Sequence, residues 1–217
     1  MSNTLRALGK LREMIFAGDL PAGSNHLETE LAMQLNMSRT PVREALLMLE
    51  GQGLLKLQPR KGVRILPISP SDMADIYDVL TELESLSAER AATAGHPPSA
   101  LAPLEAAIDD MDKAIAAGDL DAWSEADDRF HKELVRLGGN GRVQAIVDMM
   151  SDQVRRARAI TLALRPLPTK SNEDHRKVFQ AIRDGHGDVA GQTHRAHRRH
   201  AKEIIVDVLE KHRLRFI

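Results

Sequence analysis

One segment constrains this chain more than any other. In residues 27–66, LETELAMQLNMSRTPVREALLMLEGQGLLKLQPRKGVRIL, two short helix-period runs meet at a three-residue turn and a basic hairpin follows. Residues 28–35 place Leu31, Ala32 and Leu35 on one helical face. Asn36 stands where the turn needs a left-handed residue, a conformation Asn tolerates better than most non-glycines. Ser38 and Thr40 are both good N-caps for the second helix, and Pro41 suits its first turn. Val42, Ala45, Leu46 and Leu49 make its buried stripe, leaving Thr40, Arg43 and Glu44 on the other side and Arg39 in the exposed first turn. Gly51 and Gly53 end it, and two β-biased runs, 54–58 and 63–66, flank a tight turn at Pro59-Arg60-Lys61-Gly62. This is the layout of a winged helix-turn-helix. Such a recognition helix offers its N-terminal residues to base edges and phosphates.

Charge supports that reading locally rather than globally. The whole chain carries a net charge of −1, which taken alone argues against nucleic acid. Residues 38–66, however, hold six cations (Arg39, Arg43, Lys56, Arg60, Lys61, Arg64) against Glu44 and Glu50, a patch of about +4. The competing reading is a solvated basic face on a helical module that contacts protein. Aromatics make up 3% of the chain, too few for a base-stacking platform on single strands.

The rest reads as helices. Residues 1–66 form the winged unit, opened by a helix that carries Leu5, Leu8, Leu11 and Ile15 and stops at Gly18. Pro67-Ile68-Ser69-Pro70 begins a stiff linker over 67–71, with Ser69 or Ser71 placed to cap the next helix. From 72 to 217 no strand pattern occurs, and turn signals predict helices near 71–94, 99–117, 119–137, 141–163, 171–184 and 187–213. The fold class expected is mainly α: an N-terminal winged helix-turn-helix followed by an all-α bundle of about six helices. With no cysteine there is neither a disulfide framework nor a thiolate metal site. No signal peptide and no apolar run of membrane length are evident, so a cytoplasmic protein without membrane contact is expected.

The bundle carries a second chemical signal. Asp127 and His131 are four apart and share a helical face; His175 sits in the next-to-last helix and His197 in the last. One carboxylate and three imidazoles from three helices can converge on a divalent cation, and zinc, nickel, manganese and iron all accept such a set. The bland alternative stays open on spacing alone. His194, His197 and His200 stand beside Arg195, Arg198 and Arg199, as on a basic solvated face, and Asp128 can equally serve as the partner of an arginine.

These motifs together resemble the GntR family of bacterial transcription regulators. The winged unit is similar through LREMIFAGDLPAG, LETELAMQLNMSRTPVREALLMLEGQGLL and the glycine of PRKG. The second part resembles the all-helical ligand domain of the FadR-like subfamily through LTELESLSAERAA, EADDRFHKELVRLGGN and DHRKVFQAIRDGHGD. The resemblance implies DNA-contact roles for Ser38, Arg39, Thr40 and Arg43 on the recognition helix and for Lys61 and Gly62 at the wing tip. It implies metal ligation by Asp127, His131, His175 and His197, with His194 and His200 left as neighbours. It further implies a homodimer on a palindromic operator, a repressor modulated by a small organic acid bound at or near the metal.

Two positions depart from the family pattern. Relatives that bind carboxylic acids carry an arginine near Leu80, for which Arg155, Arg156 or Arg158 are the candidate replacements. Thr29 stands where some relatives have a DNA-contacting arginine. Two competing functions are a purely structural metal with no effector and a metal-dependent hydrolase. The second lacks a spaced acid/base residue, since Glu125 and Glu133 are merely near in sequence, and no catalytic role is expected.

Overall fold

The computed structural model describes residues 2–212, which divide into a unit built on residues up to Pro70 and a unit spanning Ser71–Lys211. The expected 72–217 extent and the expected helix end at 213 therefore run partly outside the described residues, as does Met1.

The first unit opens with α1 (Asn3–Ala17), whose N-cap Ser2 accepts a bond from the Leu5 amide at 3.2 Å. Gly18, at φ 82°, turns the chain out of it in the left-handed conformation that glycine adopts freely. There follow β1 (Asn25–His26), α2 (Glu28–Gln34), α3 (Arg39–Gly51), β2 (Leu55–Gln58) and β3 (Gly62–Ile65). Asn36 takes φ 50°, as the turn requires. Ser38 occupies the N-cap position of α3 but makes no capping hydrogen bond, and Thr40 lies inside the first turn. The core interleaves Leu8, Leu11, Leu31, Leu46, Leu49 and Val63, all buried.

The sheet order is β1-β3-β2, antiparallel throughout, with Asn25 opposite Arg64 and Leu55 opposite Ile65. β2 and β3 fall on the two β-biased runs, whereas β1 carries no such signal, because two residues cannot display an alternation. Arg60 at φ 63° and Gly62 at φ 81° shape the wing turn.

In the second unit α4 (Pro70–Ala94), α5 (Pro98–Ala117), α6 (Leu120–Leu137), α7 (Gly141–Thr161), α8 (Thr169–Arg183) and α9 (Gly187–Lys211) follow in order. Boundaries have chemical causes. Gly118 ends α5 in the left-handed conformation, and the Asp119 carboxylate caps α6 by accepting from the Ala122 amide at 2.9 Å. Asn140 caps α7 through the Arg142 and Val143 amides. Where the sequence predicts one helix to 163, α7 stops at Thr161 and tightens into a 3-10 turn, Leu162–Leu164, ahead of Pro166. α4 begins at Pro70 itself, so Ser71 lies within its first turn.

The apolar core packs Leu104, Ile108, Met111, Phe130, Leu134 and Val178. Along α6 the inward face runs Trp123, Ala126, Asp127, Phe130, His131, Leu134. An acid and an imidazole are thus carried into the interior by the same 3.6-residue period that buries their apolar neighbours. Among the described residues no helix is long and apolar enough to cross a membrane.

Candidate functional site

Two sites arise, one in each unit. In the winged unit Ser38, Arg39, Thr40, Arg43 and Lys61 are exposed, and Gly62 is half-buried. Arg39 and Arg43 line a groove with Glu28, Thr29, Lys56 and Arg60. Lys56 and Arg60 join it although the motif does not single them out. Arg43 is not loose: its Nη1 donates to both Glu28 carboxylate oxygens, at 3.0 and 3.2 Å. Gly62 is tightly placed, since a Cβ there would lie 2.1 Å from the His26 carbonyl oxygen. The wing turn thus rests against the chain entering α2.

The second site is buried in the helical unit. His131 of α6, His175 of α8 and His197 of α9 bring ring nitrogens within 4.8 Å of one another. His175 Nε2 and His197 Nε2 are 3.1 Å apart. Asp127 Oδ1 lies 3.6 Å from His175 Nε2 and 3.7 Å from His131 Nε2. All four residues are buried. Donors that share a cation at ~2.0–2.2 Å stand ~3.0–3.6 Å apart by simple geometry, so these separations suit one ion. Asp127 Oδ1 and His131 Nε2 are buried without a hydrogen-bond partner among the described residues, the condition a cation would relieve. The donor set fits a divalent metal.

Around the four stand groups the sequence spacing does not reveal. Asp127 Oδ2 accepts from Arg158, which also donates to Asp128 Oδ1 at 3.2 Å. On its other ring nitrogen His131 faces Glu84 Oε2 at 2.9 Å. Glu84 in turn meets His194 at 3.5 Å and Arg198 at 3.2 Å, and the Arg198 guanidinium lies 4.7 Å over the Tyr77 ring. Glu84, His131 and His194 form a second group of close donors. On α9, then, His194, His197 and Arg198 are buried, Arg195 is half-buried, and Arg199 and His200 are exposed, His200 also lining the neighbouring cavity.

The electrostatics follow from burial. His175 is pushed down to about 3 chiefly by desolvation, with Arg158, Arg198 and His131 adding repulsion. His194 and His197 are lowered for the same main reason, burial. These three rings are neutral at pH 7, the form that ligates. His131 goes the other way: burial opposes its charge, yet Glu84 and Asp127 outweigh burial and raise it. Burial likewise opposes ionisation of Asp127 and Glu84, but Arg158 and Arg198 respectively, with His131, hold both below the usual carboxylate range.

A cavity of about 270 Å³ opens onto this cluster. Asp127 and His197 form part of its wall, together with Arg158, Arg165, Trp123 and Leu162. Leu80 is buried outside it. Of the three arginines weighed as substitutes for a cation at that position, Arg155 is exposed beside Asp128 at 3.7 Å. Arg156 is buried away from the cavity, and Arg158 reaches it already paired with two aspartates. Arg165, which the sequence reading does not single out, also reaches it.

Comparison with known proteins returns the same two parts. Residues 3–65 match the profile of bacterial regulatory proteins, gntR family, and residues 75–200 match that of the FCD domain. The chain is 41% identical over 127 residues to an uncharacterized HTH-type transcriptional regulator of Agrobacterium vitis, covering 58% of this chain and 74% of that one. It is 27% identical over 185 residues to the gluconate operon transcriptional repressor of Bacillus licheniformis, covering 85% and 73%. The solved structure of E. coli McbR/YncC superposes with a TM-score of 0.77 at 20% identity, over 95% of this chain and 98% of that one. That last likeness is one of fold.

Proposed function

The chain belongs to the GntR family of bacterial regulatory proteins and carries its FCD domain, and from that premise we propose a ligand-controlled repressor whose helical unit holds a divalent metal. The observation that carries the reading is the cavity whose wall includes Asp127 and His197. A donor set sealed on all sides would serve structure alone; this one borders a space where a small molecule fits.

In the proposed scheme residues 1–66 bind DNA and residues 72–217 bind ligand and pair two copies, with 67–71 between them. Arg39, Thr40 and Arg43, with Ser38 at the helix mouth, meet the major groove, and Lys61 and Gly62 bring the wing to the phosphate backbone. Glu28 holds Arg43 pointing along the groove, which limits the rotamer entropy lost on contact. A homodimer offers two such surfaces to a palindromic operator.

Asp127, His131, His175 and His197 are the residues to hold the metal, with zinc, nickel, manganese or iron all admissible. When bound, the cation would supply Lewis acidity at the cavity wall and would tie α6, α8 and α9 together. Arg158 holds Asp127 by its other oxygen, so that Oδ1 faces the histidines. Glu84, itself held by Arg198, engages His131 Nδ1 and orients Nε2 toward Asp127, the role a carboxylate plays behind a metal-binding imidazole. A small organic acid bound beside this centre shifts operator affinity by the difference in its affinity for the DNA-competent and incompetent forms. Coupling of about 1–3 kcal/mol changes operator affinity roughly 5- to 150-fold.

The test is operator affinity of metal-loaded protein across a panel of small acids, alongside metal content. An acid that shifts operator affinity only in protein with metal bound supports the scheme. If metal binds and no small acid changes operator affinity, the competing reading, a structural metal with no effector, takes its place.

A further inference from the structure

The class of acid can be narrowed from the cavity wall, an inference that rests on the effector reading above. At about 270 Å³ the cavity is at the small end of ligand pockets. Much of its wall is hydrocarbon from Leu120, Trp123, Leu162, Ile204 and Ile205. Such a wall offers few partners to the hydroxyls of a polyhydroxylated acid, and a buried hydroxyl left unpaired costs affinity.

The cations at the cavity differ in how far they are satisfied. Arg158 is neutralised by Asp127 and Asp128, and Lys170 by Asp174. Arg165 is different. Its Nη2 donates to the Arg158 backbone carbonyl at 3.2 Å, while its Nε is buried with no hydrogen-bond partner, and no carboxylate pairs with it among the described residues. Burial together with the neighbouring Arg158 pushes it down to about 10 against the weaker opposing pull of Tyr77 and Asp127, which still leaves it cationic at neutral pH. It stands just after the 3-10 turn and before Pro166 and Pro168, which stiffen the backbone that carries it.

We propose that Arg165 is the carboxylate-binding residue of this cavity and that its ligand is a monocarboxylic acid with an apolar body, aromatic or short branched-chain. One carboxylate answers one unpaired guanidinium through charge-assisted hydrogen bonds, and the remaining ligand surface meets hydrocarbon. Of the other basic side chains among the described residues lining the cavity, Arg158 and Lys170 are paired with aspartates and the exposed His200 stands 3.9 Å from Glu203, so a second carboxylate finds no further buried, unpaired guanidinium.

The chain has a single tryptophan, Trp123, and it lines this cavity, so intrinsic fluorescence reports occupancy. Full-length, zinc-loaded protein is titrated with benzoate, isovalerate, benzamide and gluconate. The expected result is saturable quenching by benzoate or isovalerate, with benzamide and gluconate weaker by about tenfold or more, the factor a charge-assisted bond supports. Arg165→Gln should weaken acid binding by a similar factor and erase the preference for benzoate over benzamide, and Arg165→Lys should keep part of it.

Equal binding of benzoate and benzamide overturns the proposal, as does unchanged acid binding in Arg165→Gln, tightest binding by gluconate, or no acid binding at millimolar concentration. Acid binding that a chelator abolishes but Arg165→Gln leaves intact assigns the carboxylate to the metal and likewise overturns it. Should Arg165→Gln fail to fold by circular dichroism, the benzoate–benzamide comparison in the unaltered chain decides alone. Operator affinity in the same samples separates the two levels. If gluconate shifts it and benzoate does not, the effector reading stands and the assignment to Arg165 falls; if no acid shifts it, the effector reading itself falls.

Discussion

At the scale of single residues, the two sites differ in what a substitution leaves behind. Arg43 is largely exposed in the free protein and pairs with the half-buried Glu28, so Arg43→Ala leaves a partly solvated carboxylate rather than a fully buried charge. Operator affinity should fall by about 1–3 kcal/mol while random-sequence DNA loses less; equal losses on both, measured by fluorescence anisotropy at fixed salt, would reassign Arg43 to phosphate. In the helical unit Asp127 and His175 share one centre but not one consequence. Asp127→Ala leaves buried Arg158 with Asp128 as its one remaining carboxylate partner, and breaking a buried pair costs about 3–5 kcal/mol. We expect about 3 kcal/mol, since Asp128 keeps one contact, and the loss should persist with a chelator present. His175→Ala strands no charge: metal stoichiometry should drop, whereas urea unfolding of the chelated protein should move less than in Asp127→Ala. Asp127 and His131 are legible in the sequence because four residues make a helical turn. Glu84, His194 and Arg165 are not, because their significance lies in partners far along the chain or in the lack of one.

Elements were legible where a period or a cap announces them. The stripe of α3, the one-turn spacing of Asp127 and His131 on α6, and Asn36 in its turn all act through local backbone chemistry, and each stands where the residue types place it. β1 has no such local cause, since it exists through pairing with β3, and the shortened α7 reflects the coming Pro166 rather than any break in its stripe. On α9 the run of His and Arg reads equally as solvated face or buried ligand set until the packing of its neighbours selects one side. The wing supplies a prediction at this scale. At Gly62 a side chain meets both a left-handed backbone, φ 81°, and the His26 carbonyl, whereas Gly118 has φ 70° and open space around it. Gly118→Ala should therefore cost only the conformational penalty, roughly 1–2 kcal/mol. Gly62→Ala should cost more and should also shift the wing, so operator affinity falls even when the protein remains folded. A Gly62→Ala protein with unchanged operator affinity would show that the wing tip does not touch DNA.

Over the whole molecule, the buried imidazoles make stability a function of pH. In the metal-free protein His175, held at about 3, and His194 and His197, also lowered by burial, stay neutral where the unfolded chain takes up protons. Below the ordinary histidine value of about 6.5 the unfolded state thus binds more protons than the folded one, and stability falls with acid by about 1.4 kcal/mol per pH unit for each such ring. His131 runs oppositely: its raised value adds stability that is full below about 6.5 and is lost as pH rises through the folded value. Since His131 is charged in both states at lower pH, it cannot offset the acid loss. Asp127 and Glu84 deepen it as pH approaches about 4, where unfolded carboxylates take up protons that the folded ones resist. The metal-free helical unit should be most stable near neutrality and lose most of that stability by about pH 5. Metal should raise its unfolding temperature at pH 7 and lose hold as pH falls, because protons compete for the same nitrogens. The winged unit contains none of these groups, and the chain forms two compact units, so calorimetry should resolve one transition that moves with metal and one that does not. A single transition in which both move together would mean that the units unfold as one, and that metal occupancy is already linked to the stability of the DNA-binding part before any acid is added.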